Sequence, residues 1–466
     1  MWCSAEIVSG GIISDATVTP NERVRYYVLT PAGTKTKLKS EGAIVKIDTL
    51  IVSANELVTM DTYGGRVPLR GSKMQDIGLV ENGAVAISGQ EIVAFGETHD
   101  LLSELEIDGD TRIIDAKGKT VTPGLVDPHT HPVFAGTREK EFAMRIEGKS
   151  YMEIAAAGGG ILNTSRLTRQ MSIDRMIANG SKYLARMITH GTTTLEAKSG
   201  YGLSTESELA MLQSIKYLDQ TEKLDLVPTF LGAHEIPEEY RDGRADEYVE
   251  LVIEEMLPFV AKKELAKFCD VFCETGVFDI EQTRKICLAA KKLGLGIKLH
   301  ADEIKPIGGA ELGVELGAVS VDHLVEVSPE GIEAIASSNT VAVLLPGTSL
   351  FLGKGKFAPA RDLIDAGAVV ALATDFNPGS SPTTNLPLIM SLACTAMRMT
   401  PKEVWPAVTL DAAFAVGLGE RIGSITIGKQ ADLIIWDAPN HSIVPYFYGE
   451  SLAEMVIKKG KIIWRK

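Results

Sequence analysis

Cysteine is sparse in this 466-residue chain: five residues, Cys3, Cys269, Cys273, Cys287 and Cys394. An odd, scattered set excludes a disulfide framework. Cys269 and Cys273 are too far apart for a Cys-x-x-Cys pair and read as small buried hydrophobes, so a reducing cytoplasm is the expected compartment. Basic residues are also in deficit, 47 Lys and Arg against 61 Asp and Glu, for a formal net charge of −14. That balance argues against nucleic acid and against an anionic membrane surface as partners. An anionic substrate must then be met by a local cation. No run approaches the roughly 18 apolar residues of a membrane span. The opening MWCSAEIVSGGIISD lacks the basic start of a signal peptide.

What the chain has is 45% hydrophobic residues over a length that supports one large domain and a smaller one. Residues 1–45 are turn-rich and polar and carry no chemistry that can be named; they are set aside as an N-terminal extension. From 46 to 121 short strands and turns prevail, as in GAVAISGQEIVAFG (83–96). The same texture returns at 423–466 in GSITIGKQADLIIWD and MVIKKGKIIW. The simplest arrangement is one small β-sandwich domain built from both chain ends, with a large insertion between its halves.

The insertion, residues 122–422, alternates apolar runs with helical patterns. Candidate strands are 122–127, 192–197, 224–230, 269–274, 296–300, 318–323, 341–346 and 369–374. Helical stretches such as 172–190 and 279–294 lie between them. Eight such units in about 300 residues predict a (β/α)8 barrel, with a doubly wound open sheet as the alternative.

Barrel chemistry gathers at the C-terminal ends of the strands. Of only eight histidines, five fall at such ends: His129 and His131 after the first strand, His234 after the third, His300 on the fifth and His323 on the sixth. Asp375 ends the eighth, and Glu303 follows His300. His129 and His131 are two apart, so on an extended chain both imidazoles face the barrel mouth. With His300 and Asp375 they offer three imidazoles and a carboxylate, a ligand set suited to zinc or iron(II) with a position left for water. Each of these residues alone reads more simply as packing; their convergence on strands one, five and eight favours one metal ion.

The motifs VDPHTHPVFAGTREKEF (126–142), AAGGGILNTSRLTR (156–169), LEAKSGYGL (195–203), LGAHEIP (231–237), FCETGVF (272–278), KLHADE (298–303), VDHL (321–324) and ATDFNPGSSP (373–382), in this order, resemble the amidohydrolase superfamily and, within it, the imidazolonepropionases. The resemblance covers about residues 46–466. It implies hydrolytic ring opening of 4-imidazolone-5-propanoate to N-formimidoyl-L-glutamate in histidine degradation, one zinc or iron per subunit, and a homodimer.

On that resemblance His129, His131, His300 and Asp375 hold the metal. Asp375 also takes the proton of the attacking water, Glu303 orients that water or shuttles a proton, and His323 stabilises the oxyanion. Arg138 is the expected cation for the propionate; as sequence alone it reads first as a surface arginine in a salt bridge. Tyr201 and His234 are expected on the substrate, and Asn377, Gly379 and Ser380 at the glutamate-like end of the product, through an amide, backbone N–H groups and a hydroxyl. Lys198 lies near the second strand rather than the fourth, where a metal-bridging carbamylated lysine belongs, so one metal is expected. Glu274, which ends the fourth strand, has no assigned task. His99, His190 and His441 are expected to be ordinary packing or surface residues. The rival activity is a deaminase of the same superfamily, which shares the metal site and the Glu after the fifth-strand His. The rival outside enzymes is a non-catalytic metal-binding or assembly protein on a barrel scaffold.

Overall fold

Short runs rich in Val, Leu, Ile and Thr, each leading into an amphipathic stretch, give parallel strands with helices outside them. The computed structural model describes residues 46–149, 153, 158–353 and 355–466, with 28–29 and 35–36. The rest of the proposed N-terminal extension lies outside the described residues.

After a short antiparallel pair, Val28–Leu29 with Lys35–Thr36, five strands follow: β1 (Thr49–Val58), β2 (Leu79–Ser88), β3 (Glu91–Glu97), β4 (Arg112–Asp115) and β5 (Thr120–Pro123). The barrel follows as β6 (Leu125–Asp127), β7 (Thr192–Lys198), β8 (Asp225–Ala233), β9 (Phe268–Cys273), β10 (Gly296–Ala301), β11 (Ser320–His323), β12 (Val341–Leu344) and β13 (Val369–Leu372). These eight pair in sequence order, every pair parallel. The ends of the series meet just past the strands. Asp375 N–H donates to the His129 carbonyl at 3.0 Å and His131 N–H to the Phe376 carbonyl at 2.8 Å. Asp127 reinforces the seam, accepting from the Thr374 backbone N–H at 3.0 Å and hydroxyl at 2.6 Å. The barrel is therefore favoured over the open sheet.

One expected strand, 122–127, divides at Gly124 between β5 and β6. A side chain at 124 would collide with Thr193, so glycine lets the chain pass from one sheet to the other against β7.

Three further strands, β14 (Leu433–Trp436), β15 (Ala453–Lys458) and β16 (Lys461–Arg465), return the chain to the small domain. They join β1–β5 in one sheet ordered β16-β15-β14-β5-β1-β2-β3, with β4 on β1. The sandwich expected from the two ends is thus one continuous sheet whose halves share a core: Ile51 and Val85 lie in the same apolar cluster as Leu433, Ile435 and Ile457. Alternation on β14 ties the domains together. Leu433 and Ile435 face that cluster, while Ile434 and Trp436 face the barrel core. Trp436 Nε1–H also donates to Thr122 Oγ1 at 2.8 Å.

Among the helices, α1 (Glu139–Ile146) follows the His-x-His segment, and α2 (Ile173–Thr189), α3 (Thr205–Thr221), α4 (Ile280–Lys292) and α5 (Gly309–Leu316) pack outside. Two of these starts carry side-chain caps: on α3 Ser204 accepts from Ser207 N–H, and on α4 Asp279 forms a reciprocal box with Gln282. The described cysteines, Cys269, Cys273, Cys287 and Cys394, are free thiols, the first three buried. No helix among the described residues is long and apolar enough to cross a membrane.

Candidate metal centre and substrate pocket

The interior of the barrel is not uniformly apolar. Paired positions on parallel strands point the same way, so the register Asp270–Lys298–Ser320 and the register Phe272–His300–Asp322 stack as two layers across β9, β10 and β11. The outward positions Val271, Leu299 and Val321 join the main core. On the opposite wall Val341, Val343, Val369 and Ala371 fill the inside with hydrocarbon. One half of the barrel is thus lined by charge, and the histidines stand at its rim.

His129, His131 and His300 are buried, with one ligand atom from each within 4.8 Å of the others. Asp375 Oδ1 lies 3.6 Å from His129 Nε2 and 3.5 Å from His131 Nε2. His129 Nδ1 meets Asp322 Oδ2 at 2.6 Å, while its Nε2 is buried without a hydrogen-bond partner. A carboxylate on one ring nitrogen fixes the tautomer and leaves the other as a lone pair, the arrangement a metal-bound imidazole uses. His131 Nδ1 is likewise buried without a partner, and His300 Nδ1 has only a skewed approach of 3.0 Å to Asp270 Oδ2. The residues fit a divalent metal ion.

Electrostatics agree. Burial holds His129 and His234 well below the usual imidazole value and lowers His131 and His323, which keeps these rings neutral. His300 runs the other way: burial opposes protonation, but the Asp270 carboxylate beside it wins and raises the value. Asp375 is buried, which alone would raise it, yet hydrogen bonds from the His131 ring and the Thr348 hydroxyl help hold it at about 2.

His323 and Glu303 face each other at 3.6 Å between Nδ1 and Oε2. Strand alternation places Asp322 inside and would send His323 outward. His323 instead takes φ +77 and Leu324 φ +58, and the ring turns back to lie 5.1 Å from that of His300. Asp375 is also left-handed, at φ +49. Such conformations in non-glycine residues cost on the order of 1–3 kcal/mol each and cluster at functional sites. Tyr201 and His234 complete the rim. The His234 ring stacks on His131 at 5.4 Å, and Tyr201 lies 5.7 Å from His131 and 5.3 Å from His234. Burial raises the Tyr201 phenol well above its usual value, so it remains a hydrogen-bond donor.

Arg138 is a largely buried side chain rather than a surface one, 15% exposed and paired with Glu141 at 2.7 Å. Its guanidinium lies so close to Gly379 that a Cβ there would overlap it. A side chain at 379 would therefore have to push the guanidinium aside. The turn that follows Asp375 is also less open than expected. Asn377 Oδ1 accepts the N–H groups of Gly379 and Ser380, both at 2.8 Å, and its amide nitrogen donates to the Asp375 carbonyl and to Ser380 Oγ. The two N–H groups expected to face a ligand are held inside the turn.

Several residues of the site escaped the reading of the sequence. Arg145, two helical turns beyond Arg138, donates to the Gly379 carbonyl at 3.1 Å, and only that i, i+7 spacing pointed to it. Thr348 donates to Asp375 Oδ2. Glu274 accepts from Thr275 N–H with one oxygen at 2.7 Å and from Ile304 and Lys305 N–H with the other at 2.8 and 3.3 Å, and so clamps the loop that carries Glu303. Glu208 does the same for the Tyr201 loop, accepting from the N–H groups of Gly200, Gly202 and Leu203. Asp270 and Asp322 were legible only as polar residues at alternate positions of buried strands. His441, set aside earlier, bonds Glu56 at 2.8 Å and ties the returning chain to β1.

The amidohydrolase family model matches residues 120–463, and the chain belongs to that family. Solved structures with the same fold include a zinc-bound adenosine deaminase from Xanthomonas campestris, 20% identical with a TM-score of 0.63 over 90% of this chain and 93% of that one. Another is the guanine deaminase of E. coli, 14% identical with a TM-score of 0.68 over 90% and 99%. At those identities they speak to fold alone. Within the family, the chain belongs with the imidazolonepropionases. It is 48% identical to the imidazolonepropionase of Alkaliphilus oremlandii over 91% of this chain and 99% of that one, and 50% identical to that of Bacillus velezensis over 90% and 97%.

Proposed function

We propose that this protein hydrolyses 4-imidazolone-5-propanoate: water adds to the ring carbonyl carbon, the ring C–N amide bond breaks, the departing nitrogen takes a proton, and N-formimidoyl-L-glutamate leaves. The observation that carries this reading is that a cluster of neutral imidazoles stands beside Tyr201, 5.7 Å from His131, and that the largely buried Arg138 guanidinium is near enough to act on the same phenol.

His129, His131, His300 and Asp375 would hold one zinc or iron ion. Such an ion, when bound, polarises a carbonyl and supplies a water nucleophile near neutral pH. The chain's own groups do the rest. Asp375 Oδ1 takes the proton from the attacking water, with Oδ2 steadied by Thr348. Glu303, 3.6 Å from His323, orients that water and passes a proton toward the departing nitrogen. His323 faces the ring carbonyl and stabilises the charge that builds on its oxygen. Arg138 binds the propionate, and Tyr201 and His234 hold the ring. Asn377, Gly379 and Ser380 border the carboxylate end, where the Ser380 hydroxyl rather than the turn's N–H groups makes the contact. A homodimer in a reducing cytoplasm completes the reading; free thiols and an acidic chain support the compartment.

The deaminase alternative lacks a use for Arg138. Product analysis separates the two. Formation of N-formimidoyl-L-glutamate from the imidazolone, with no ammonia from guanine or cytosine-type substrates, is expected. Ammonia release from those substrates, with the imidazolone left intact, would sink the ring-opening reading.

A further inference from the structure

Beneath the imidazoles lie charged groups, of which only Asp322, on the His129 ring, has so far had a task. Glu196, Lys198, Asp270, Lys298 and Asp322 are all fully buried. Lys198 Nζ lies 2.7 Å from Asp270 Oδ2, 3.0 Å from Glu196 Oε2 and 3.6 Å from Asp322 Oδ2. Lys298 Nζ lies 2.6 Å from Glu196 Oε2 and donates to the Pro128 carbonyl at 3.1 Å. Two ammonium groups thus stand among three carboxylates.

The carboxylates continue upward. Asp322 Oδ2 holds His129 Nδ1 at 2.6 Å, and its Oδ1 accepts from Ser320 Oγ at 2.6 Å. Asp270 Oδ2 lies 3.0 Å from His300 Nδ1, and its Oδ1 accepts the His300 backbone N–H at 3.2 Å. One ammonium, that of Lys198, therefore bridges the two carboxylates that face two of the three imidazoles. Ligand atoms of His129, Glu196 and Asp322 also come within 4.8 Å of one another, a second grouping with the spacing of a cation site. The Lys198 ammonium stands against that grouping, within ion-pair reach of both its carboxylates.

We propose that Lys198 is a positioning residue that takes the place of a second cation: it keeps Asp322 and Asp270 aligned on His129 and His300, and it closes the carboxylate cluster to a further metal ion. An ammonium suits this place because it is a compact point charge with three donors that can satisfy several carboxylates at once. The inference rests on the metal reading of the three histidines.

The test is metal binding by the full chain, with no substrate present: zinc titrated against a chromogenic chelator, and zinc counted in the same sample. The wild-type chain is expected to bind one zinc, and Lys198→Arg, which keeps the cation, the same. Lys198→Met is expected to gain a second equivalent. Asp322→Asn, nearly isosteric, is expected to lose affinity by on the order of 10- to 100-fold, as loss of a carboxylate behind a ligand does. A folded Lys198→Met chain with a single zinc would overturn the closing role. If Lys198→Met does not fold, Asp322→Asn decides the inference: unchanged affinity there overturns it. Failure of the wild-type chain to bind zinc would instead remove the metal reading, and this inference with it.

Discussion

At the scale of single residues, His323 shows how the chain converts a buried outward position into a reactive one. Its φ of +77 turns the ring into the mouth, opposite Glu303. His323→Ala should fold and bind metal but lose about 100-fold or more in kcat, the usual cost of removing a stabiliser of transition-state charge. Full activity in steady-state assays of that variant would show the role to be misassigned. Arg138 acts at a different stage. Loss of a charge-assisted contact costs about 1.5–3 kcal/mol, so Arg138→Gln should raise KM by about 10- to 100-fold with a smaller change in kcat. Gly379→Ala should mimic it in part, because the added methyl displaces the guanidinium. A KM unchanged in both variants would place the propionate elsewhere.

At the scale of elements, the strands were readable because hydrophobic runs and turn residues marked them, and because parallel strands buried on both faces leave few alternatives. The rim histidines were readable for the same reason: they follow those runs directly. What lay below the rim was harder. Lys198, Lys298, Asp270 and Asp322 interrupt apolar strands at alternate positions, and that interruption was visible. Their pairing was not, because it crosses four strands and depends on register. Asp375 could be placed on the last strand, but the contact from Thr348, 27 residues earlier, could not. The donors of the Asn377 turn are plain in the sequence, while their internal use is set by backbone geometry. The buried pairs also set a stability expectation. Lys298→Met leaves the Glu196 carboxylate short of a partner, and breaking a buried pair from one side typically costs about 3–5 kcal/mol. Denaturant unfolding should record a loss of that size; a change under about 1 kcal/mol, the range of an exposed pair, would mean that Lys298 is effectively solvated.

At the scale of the whole molecule, burial of neutral histidines ties stability to pH. His129, His131, His234 and His323 have folded values below the ordinary 6.5. As pH falls below about 6.5, the unfolded chain takes up protons that the folded chain refuses. Stability is therefore fully present above that pH and is lost progressively as pH falls toward the folded values. His300, whose value is raised, offsets part of this. Bound metal steepens the loss, since protons compete for the same nitrogens. Unfolding curves at pH 7.5 and 5.5 should show a clear drop at the lower pH, larger for the metal-loaded protein; equal stability at both would mean the rings are not buried neutral.

Whether the imidazole cluster and Arg138 serve one reaction is decided by following the ultraviolet absorbance of freshly generated 4-imidazolone-5-propanoate while metal content is measured on the same sample. Rapid loss of absorbance is expected with one metal per chain, abolished by a chelator and restored by zinc or iron(II). A folded, metal-loaded sample that leaves the absorbance unchanged would contradict the ring-opening reading.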